Sequence, residues 1–137
     1  LRAIANHQFG KGVGNILFPA DTIIKGRFPR DLQIFLDNKQ IATLRYADGF
    51  LTLDPTHAQK IVDLTYAKME FATTNIRGSS IFAVGIVKAN PRIRPLDEIL
   101  ITKDNLVLAT GTAVVAGCDM NKMTSGIAAH IRKKRSL

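Results

Sequence analysis

The chain has no tryptophan, one cysteine (Cys118), three scattered histidines and no Asn-x-Ser/Thr acceptor. A lone cysteine cannot close an internal disulfide or supply the Cys pair of a zinc site. His7, His57 and His130 form no His-Glu-x-x-His pattern. The one Gly-Lys pair, Gly10-Lys11, runs into Gly12 rather than Ser or Thr, so there is no Walker loop, and no Gly-x-Ser-x-Gly elbow occurs. No apolar run approaches the ~20 residues of a membrane-spanning helix, and the N-terminus lacks the basic-then-apolar secretory pattern. These absences predict a soluble protein of the reducing cytoplasm with no metal, no cofactor, no catalytic residues and no membrane partner. They also cast Cys118 as a small buried thiol, His57 as a solvent-facing helix residue and Asp97-Glu98 as ordinary strand-edge charges.

Acidic residues are scarce too. Eleven Asp and Glu face nineteen Lys and Arg in 137 residues, a net charge of +8 and a pI near 10.0. The 46% apolar content fits a globular chain, and this length permits a real core. A cationic surplus is a statement about partners rather than about fold, and polyanions are the natural ones. Its distribution is uneven. A cut after Tyr66 leaves eight basic and six acidic residues, net +2, before it, and eleven against five, net +6, after it.

Turn chemistry and periodicity predict the local elements. The alternate glycines of Phe9 to Phe18 suggest a loop leading into a short helix. Strands are expected at Thr22–Ile24, Gln33–Leu36, Gln40–Tyr46 and Phe50–Leu53, with Asp37-Asn38-Lys39 as a tight turn, because Asp and Asn tolerate left-handed backbone. Asp54-Pro55 opens a helix, with Asp54 capping its free N–H groups and Pro55 at the first position. In the second half, strands are expected at Met69–Ala72, Ile86–Val87, Glu98–Thr102, Leu106–Val115 and Ile127–Arg132. Lys103-Asp104-Asn105 reads as a hairpin turn. Ser79 to Val84 reads as one helical turn capped by Ser79 and ended by Gly85. Met120 and Met123, three residues apart, predict another turn facing the core.

The segments Gly78-Ser79-Ser80-Ile81-Phe82-Ala83-Val84-Gly85-Ile86, Asp97-Glu98-Ile99-Leu100-Ile101, Leu106-Val107-Leu108-Ala109-Thr110-Gly111-Thr112-Ala113 and Gly126-Ile127-Ala128-Ala129-His130 resemble, in order and spacing, a PUA domain, an RNA-binding module. Ala5 to Gly14, Gln40 to Gly49 and Asn90-Pro91-Arg92-Ile93-Arg94-Pro95 are similar to the region preceding and entering the PUA domain at the C-terminal end of archaeal tRNA-guanine transglycosylases and archaeosine synthases. Leu96 departs from that pattern, standing where the family usually has a glycine. The resemblance implies an α+β chain, with a small N-terminal α/β (pre-PUA) domain over 1–66 and a β-rich PUA pseudo-barrel over 67–137. It gives Gly10, Gly12 and Gly14 a structural role.

PUA domains dock structured RNA around the first helical turn and its neighbouring strands. Carried to matching positions, Arg77, Gly78, Ser79 and Ser80 form the loop facing RNA, supported by Phe82, Ala83 and Gly85, with Phe82 expected in the core. Lys88, Arg92 and Arg94 form a basic run that either tracks phosphates or is simply solvated. Arg132, Lys133, Lys134 and Arg135 are the densest cationic cluster, either a source of sequence-independent attraction or a loose end. The expected activity is noncatalytic binding of tRNA or another structured RNA in connection with tRNA modification. The alternative is a subunit that binds a catalytic tRNA-modification partner and completes it.

Overall fold

Two Asp-Asn pairs organise the strand connections. Asp37 and Asn38 have φ of 52° and 64°, and Asp104 and Asn105 have φ of 51° and 65°. Consecutive left-handed residues form the primed turn whose twist matches that of the strands it joins. The computed structural model describes residues 1–135. Its first unit holds two helices, α1 (Arg2–Phe9) and α2 (Val13–Leu17), against an antiparallel sheet of β1 (Ile23–Lys25), β2 (Leu32–Leu36), β3 (Lys39–Leu44) and β4 (Leu51–Leu53) in sequential order. A short helix α3 (Pro55–Ala58) and a 3-10 turn (Gln59–Ile61) close it.

The second unit is a six-stranded sheet in the order β6-β10-β9-β8-β5-β7, comprising β5 (Lys68–Phe71), β6 (Ser80–Phe82), β7 (Ile86–Ala89), β8 (Glu98–Lys103), β9 (Leu106–Ala113) and β10 (Ile127–Lys134), with α4 (Gly117–Met120) before the last strand. β5 runs parallel to β8; the other pairings are antiparallel. The two edge strands, β6 and β7, are consecutive in the chain and joined only by the 3-10 turn Ala83–Gly85. So short a link forces the sheet to curl until its edges approach. The result is the half-barrel of a mixed α+β fold.

One continuous apolar core serves both units. Phe9, Leu17, Phe18, Ile34, Leu51, Leu53 and Ile61 from the first join Met69, Ile81, Ile93, Ile99 and Leu100 from the second, all at most 2% exposed. The glycine loop is a packing device: Gly12 is left-handed at φ 84°, and a Cβ on Gly14 would sit 2.3 Å from the Arg2 carbonyl, so α1 and α2 meet backbone to backbone. Asn6 Oδ1 accepts the Gly14 N–H at 2.7 Å.

The Asp54 cap forms as the local chemistry requires, accepting from the N–H groups of Thr56 and His57. Met120 is buried and Met123 packs against the core. Residues 2–9, for which the sequence suggests no element, are helical because Ala5 and Phe9 bury against α2 and the sheet. Other expectations need correction. Ser79–Val84 is not one helical turn: Ser80–Phe82 pairs as a strand with β10, and the turn starts only at Ala83. Phe82 is 53% exposed, since alternation along β6 buries Ile81 instead. Cys118 is exposed. His57 is buried, its Nε2 at 2.7 Å from the Leu17 carbonyl, so the α3 histidine ties that helix to α2. Burial pulls the His57 pKa below the ordinary 6.5, with Lys60 adding to the effect.

Leu96 has φ of 74° and is 75% exposed, which gives the missing family glycine a physical meaning. A left-handed leucine costs roughly 1–2 kcal/mol, of which a flexible glycine would return only part. Leu96→Gly is expected to raise stability by about 0.5–1 kcal/mol, read as a higher urea midpoint at unchanged slope. A depressed His57 pKa stabilises the fold above about 6.5 and loses that contribution as pH falls through the lowered value. The stability difference between the wild-type chain and His57→Gln should therefore shrink from pH 7.5 to pH 5, measured by urea unfolding at each pH.

Candidate nucleic-acid interface

The four cations at the chain's end do not behave as a group. β10 continues through Lys134, so the segment is an ordered strand rather than a loose end. The Arg132 guanidinium donates through Nη2 to Glu98 Oε2, to the Leu53 carbonyl and to Thr110 Oγ1. Thr110 in turn donates to the Leu53 carbonyl at 2.7 Å, and Glu98 Oε2 accepts the Leu53 N–H at 2.9 Å. Lys133 Nζ lies 2.7 Å from Asp54 Oδ1, and Arg135 donates to the Val107 carbonyl and to Gln59 Oε1. Three of the four side chains expected to meet RNA as a tail are instead fasteners between the two units.

Glu98 is likewise no edge charge. It is 5% exposed, and its Oε1 finds no partner among the described residues. Burial pushes its carboxyl pKa up, against the charge and hydrogen bond of Arg132 and the Leu53 N–H. At Asp54 burial also pushes upward, but Lys133 and the two cap N–H groups outweigh it and hold the carboxyl below its usual value.

The glycine turn is placed differently. Arg77, Gly78 and Ser79 are exposed, and Ser80 is half-buried at the start of edge strand β6. Gly78 has φ of 71°, and a Cβ there would meet nothing within 4 Å, so its backbone stands open to an approaching ligand. The Ile131 N–H donates to the Ser79 carbonyl at 2.7 Å, fixing this turn on β10. Lys134 Nζ donates to the Ile76 carbonyl at 3.1 Å, which positions its charge beside Arg77 without cancelling it. His130 sits opposite Ser80, with Nδ1 3.5 Å from the hydroxyl. One face thus gathers Arg77, Gly78, Ser79, Ser80, His130 and Lys134.

The basic run separates. Lys88 lies on edge strand β7 opposite Glu70, beside a cleft that also contains Lys68 and Asn90. Arg92 rests on the Tyr66 ring, Cζ 4.6 Å from its centroid. Arg94 borders a second cleft of about 290 Å³ between the two units. Sequence reasoning missed His130 and Tyr66 as neighbours of these cations; only the pairing of β10 with β6 and the Arg92 stack reveal them. Among the described residues no cluster of His, Cys, Asp and Glu could hold a metal ion, and no helix is long and apolar enough to cross a membrane.

A curled sheet whose edge carries a glycine turn is the architecture of a PUA domain. The chain belongs to the PUA-domain family: residues 67–135 match the PUA domain, and residues 1–68 match the patch-forming domain C2 of tRNA-guanine transglycosylase. It is similar to the archaeosine synthase subunit alpha of Thermococcus kodakarensis, 34% identical over 137 residues that cover 98% of this chain and 23% of that protein. It is also similar to the tRNA-guanine(15) transglycosylase of Pyrococcus furiosus, 36% identical over 142 residues, covering 97% of this chain and 24% of that one. The chain therefore spans about a quarter of the length of these relatives. A crystal structure of a hypothetical protein from Pyrococcus horikoshii shares the fold, with a TM-score of 0.77 at 17% identity over 97% of this chain and 86% of that one.

Removing one partner from a buried ion pair strands the other charge, which typically costs about 3–5 kcal/mol. Arg132 is partly exposed and the Glu98 carboxyl can take up a proton, so Arg132→Ala is expected to lose less than that, about 1–3 kcal/mol, and the double variant Arg132→Met/Glu98→Leu less still. Urea unfolding of the three chains measures both.

Proposed function

We propose that this chain is a noncatalytic RNA-docking module that holds tRNA in connection with tRNA modification. The observation that carries this reading is the Arg77–Ser80 turn with Lys134 beside it: open glycine backbone, hydroxyls and cations that form no ion pair among the described residues, on one edge of the half-barrel. A-form RNA displays phosphates and 2′-hydroxyls across a shallow minor groove, and its recognition depends on such close approach more than on base-specific side chains. Membership of the PUA family and similarity to proteins named for archaeosine synthesis and tRNA-guanine exchange support the same reading. Arg132 and Lys133, neutralised by Glu98 and Asp54, are assigned no phosphate.

A second reading, a subunit that docks on a catalytic protein, is favoured by the exposure of Phe82, Val84 and Ile127, with Phe82 and Ile127 opposite each other on β6 and β10. Apolar side chains clustered at a sheet edge are a feature of protein contacts. Co-purification with a catalytic protein, combined with tRNA affinity no stronger than that for any polyanion, would favour it.

With ~4–6 phosphates neutralised, the slope of log K against log salt for tRNA should be roughly −3 to −5. Arg77→Ala should weaken tRNA binding and flatten that slope by about 1, while Arg132→Met/Glu98→Leu leaves the slope unchanged. Fluorescence anisotropy with a tRNA transcript at several salt concentrations provides the test. An unaltered slope in Arg77→Ala would remove the turn from the interface.

A further inference from the structure

The cleft between the two units lies apart from the glycine turn and combines aromatic rings with arginines. Its wall on the first unit is the β3–β4 turn, which contributes Arg45 and Phe50; its wall on the second is the turn from Arg94 to Glu98, with Tyr66 between them. Phe50 is 42% exposed. Arg92 lies over the Tyr66 ring, its Cζ 4.6 Å from the centroid. Arg94 forms no ion pair among the described residues, while its backbone N–H donates to Asp97 Oδ2 at 2.8 Å. Arg45 is tied to Asp48 at 2.6 Å, an exposed pair that still leaves guanidinium surface facing the cleft. Next to Arg45, Tyr46 continues the aromatic surface outward: its ring packs edge-on to Phe28 with centroids 4.9 Å apart, and the two rings are 50% and 75% exposed.

Exposed aromatic rings grouped beside cations offer faces on which a base can stack. Alternating rings and guanidinium groups match the two repeating features of an unpaired strand, π-faced bases and phosphates. A duplex cannot use such a site, because its bases are already stacked on one another. The volume, about 290 Å³, lies at the small end of ligand sites and suits one nucleotide better than a larger group.

Resting on the RNA-docking reading above, we propose that this cleft is a second, separate RNA site that takes an unpaired nucleotide from a single-stranded segment, while the Arg77–Ser80 turn holds duplex. The base stacks against Phe50 and Tyr66, the two aromatic rings that line the cleft. Arg94, which forms no ion pair among the described residues, neutralises the flanking phosphate, with the Asp48-paired Arg45 beside it. Asp97, whose Oδ2 holds the turn, directs its other oxygen's acceptor capacity to an N–H donor on the base edge. The continuation to Tyr46 and Phe28 stacks the next bases along the strand.

The chain contains two tyrosines and no tryptophan, and both tyrosines belong to this surface, so its intrinsic fluorescence reports the site directly. An oligoadenylate hexamer and a short blunt-ended RNA duplex are titrated separately into the 137-residue chain. The hexamer is expected to quench tyrosine emission. Phe50→Ala and the fully surface-directed Arg94→Ala should each weaken hexamer binding by about fivefold or more, the range for a lost stacking or phosphate partner; duplex affinity should change less than twofold, and Tyr66→Phe should retain hexamer binding. Hexamer affinity unchanged in Arg94→Ala and Phe50→Ala, with tRNA binding intact, overturns the cleft site and leaves the docking reading standing. Equal loss of hexamer and duplex also overturns it, since the cleft would then not distinguish unpaired RNA. A wild-type chain that binds neither hexamer nor tRNA overturns both.

Discussion

The contact between Glu98 and Arg132 holds the two halves of the molecule in one orientation. Its members come from β8 and β10 of the half-barrel, and both reach the backbone of Leu53 in the last strand of the first sheet. A carboxylate this deeply buried is expensive unless paired and hydrogen-bonded. Leu53 supplies an N–H to Glu98 Oε2 while its carbonyl receives Arg132 and Thr110, so these bonds form only when the two sheets are docked. Gln59 reinforces the seam a strand away, accepting the Val107 N–H and donating to the Asn105 carbonyl.

That fastening redistributes the charge available to a partner. The surplus of eight cations is formal; what an anion meets is whatever the fold leaves uncompensated. Arg132 and Lys133 are spent on Glu98 and Asp54. Lys134, one residue on, donates to the Ile76 carbonyl and meets no carboxylate among the described residues. The irregularity in β10 between Ile131 and Lys133 breaks simple alternation, so the adjacent Arg132 and Lys133 both reach the seam while Lys134 does not. The docked halves also create the cleft holding Arg94, Phe50 and Tyr66, so the same pair that removes cations from one surface assembles another.

Much of the fold could be read from local chemistry. The Asp37-Asn38 and Asp104-Asn105 turns, the Asp54-Pro55 cap and the core-facing methionines depend on neighbours in sequence, and each forms as its residues dictate. What could not be read depends on distant partners. His57 looks solvent-facing until α2 brings the Leu17 carbonyl to it. Glu98 looks like an edge acid until Arg132 arrives from 34 residues away. The end cations look alike because composition does not distinguish a lysine facing Asp54 from one facing solvent. Phe82 reads as a core residue, but the register of β6 with β10 turns Ile81 inward in its place. The resemblance to PUA domains correctly located the glycine turn in the fold; it could not sort the surrounding cations, because that depends on packing peculiar to this chain.

The account's central claim is that RNA meets the Arg77–Ser80 edge and its β10 neighbours, while the Glu98–Arg132 seam remains internal. Amide chemical-shift mapping of the isotope-labelled chain titrated with a tRNA transcript tests this residue by residue. The account predicts the largest shifts at Arg77, Gly78, Ser79, Ser80, His130 and Lys134, with Leu53, Glu98 and Thr110 little moved. Shifts concentrated on α3 and the outer face of β2, with the glycine turn silent, would contradict it.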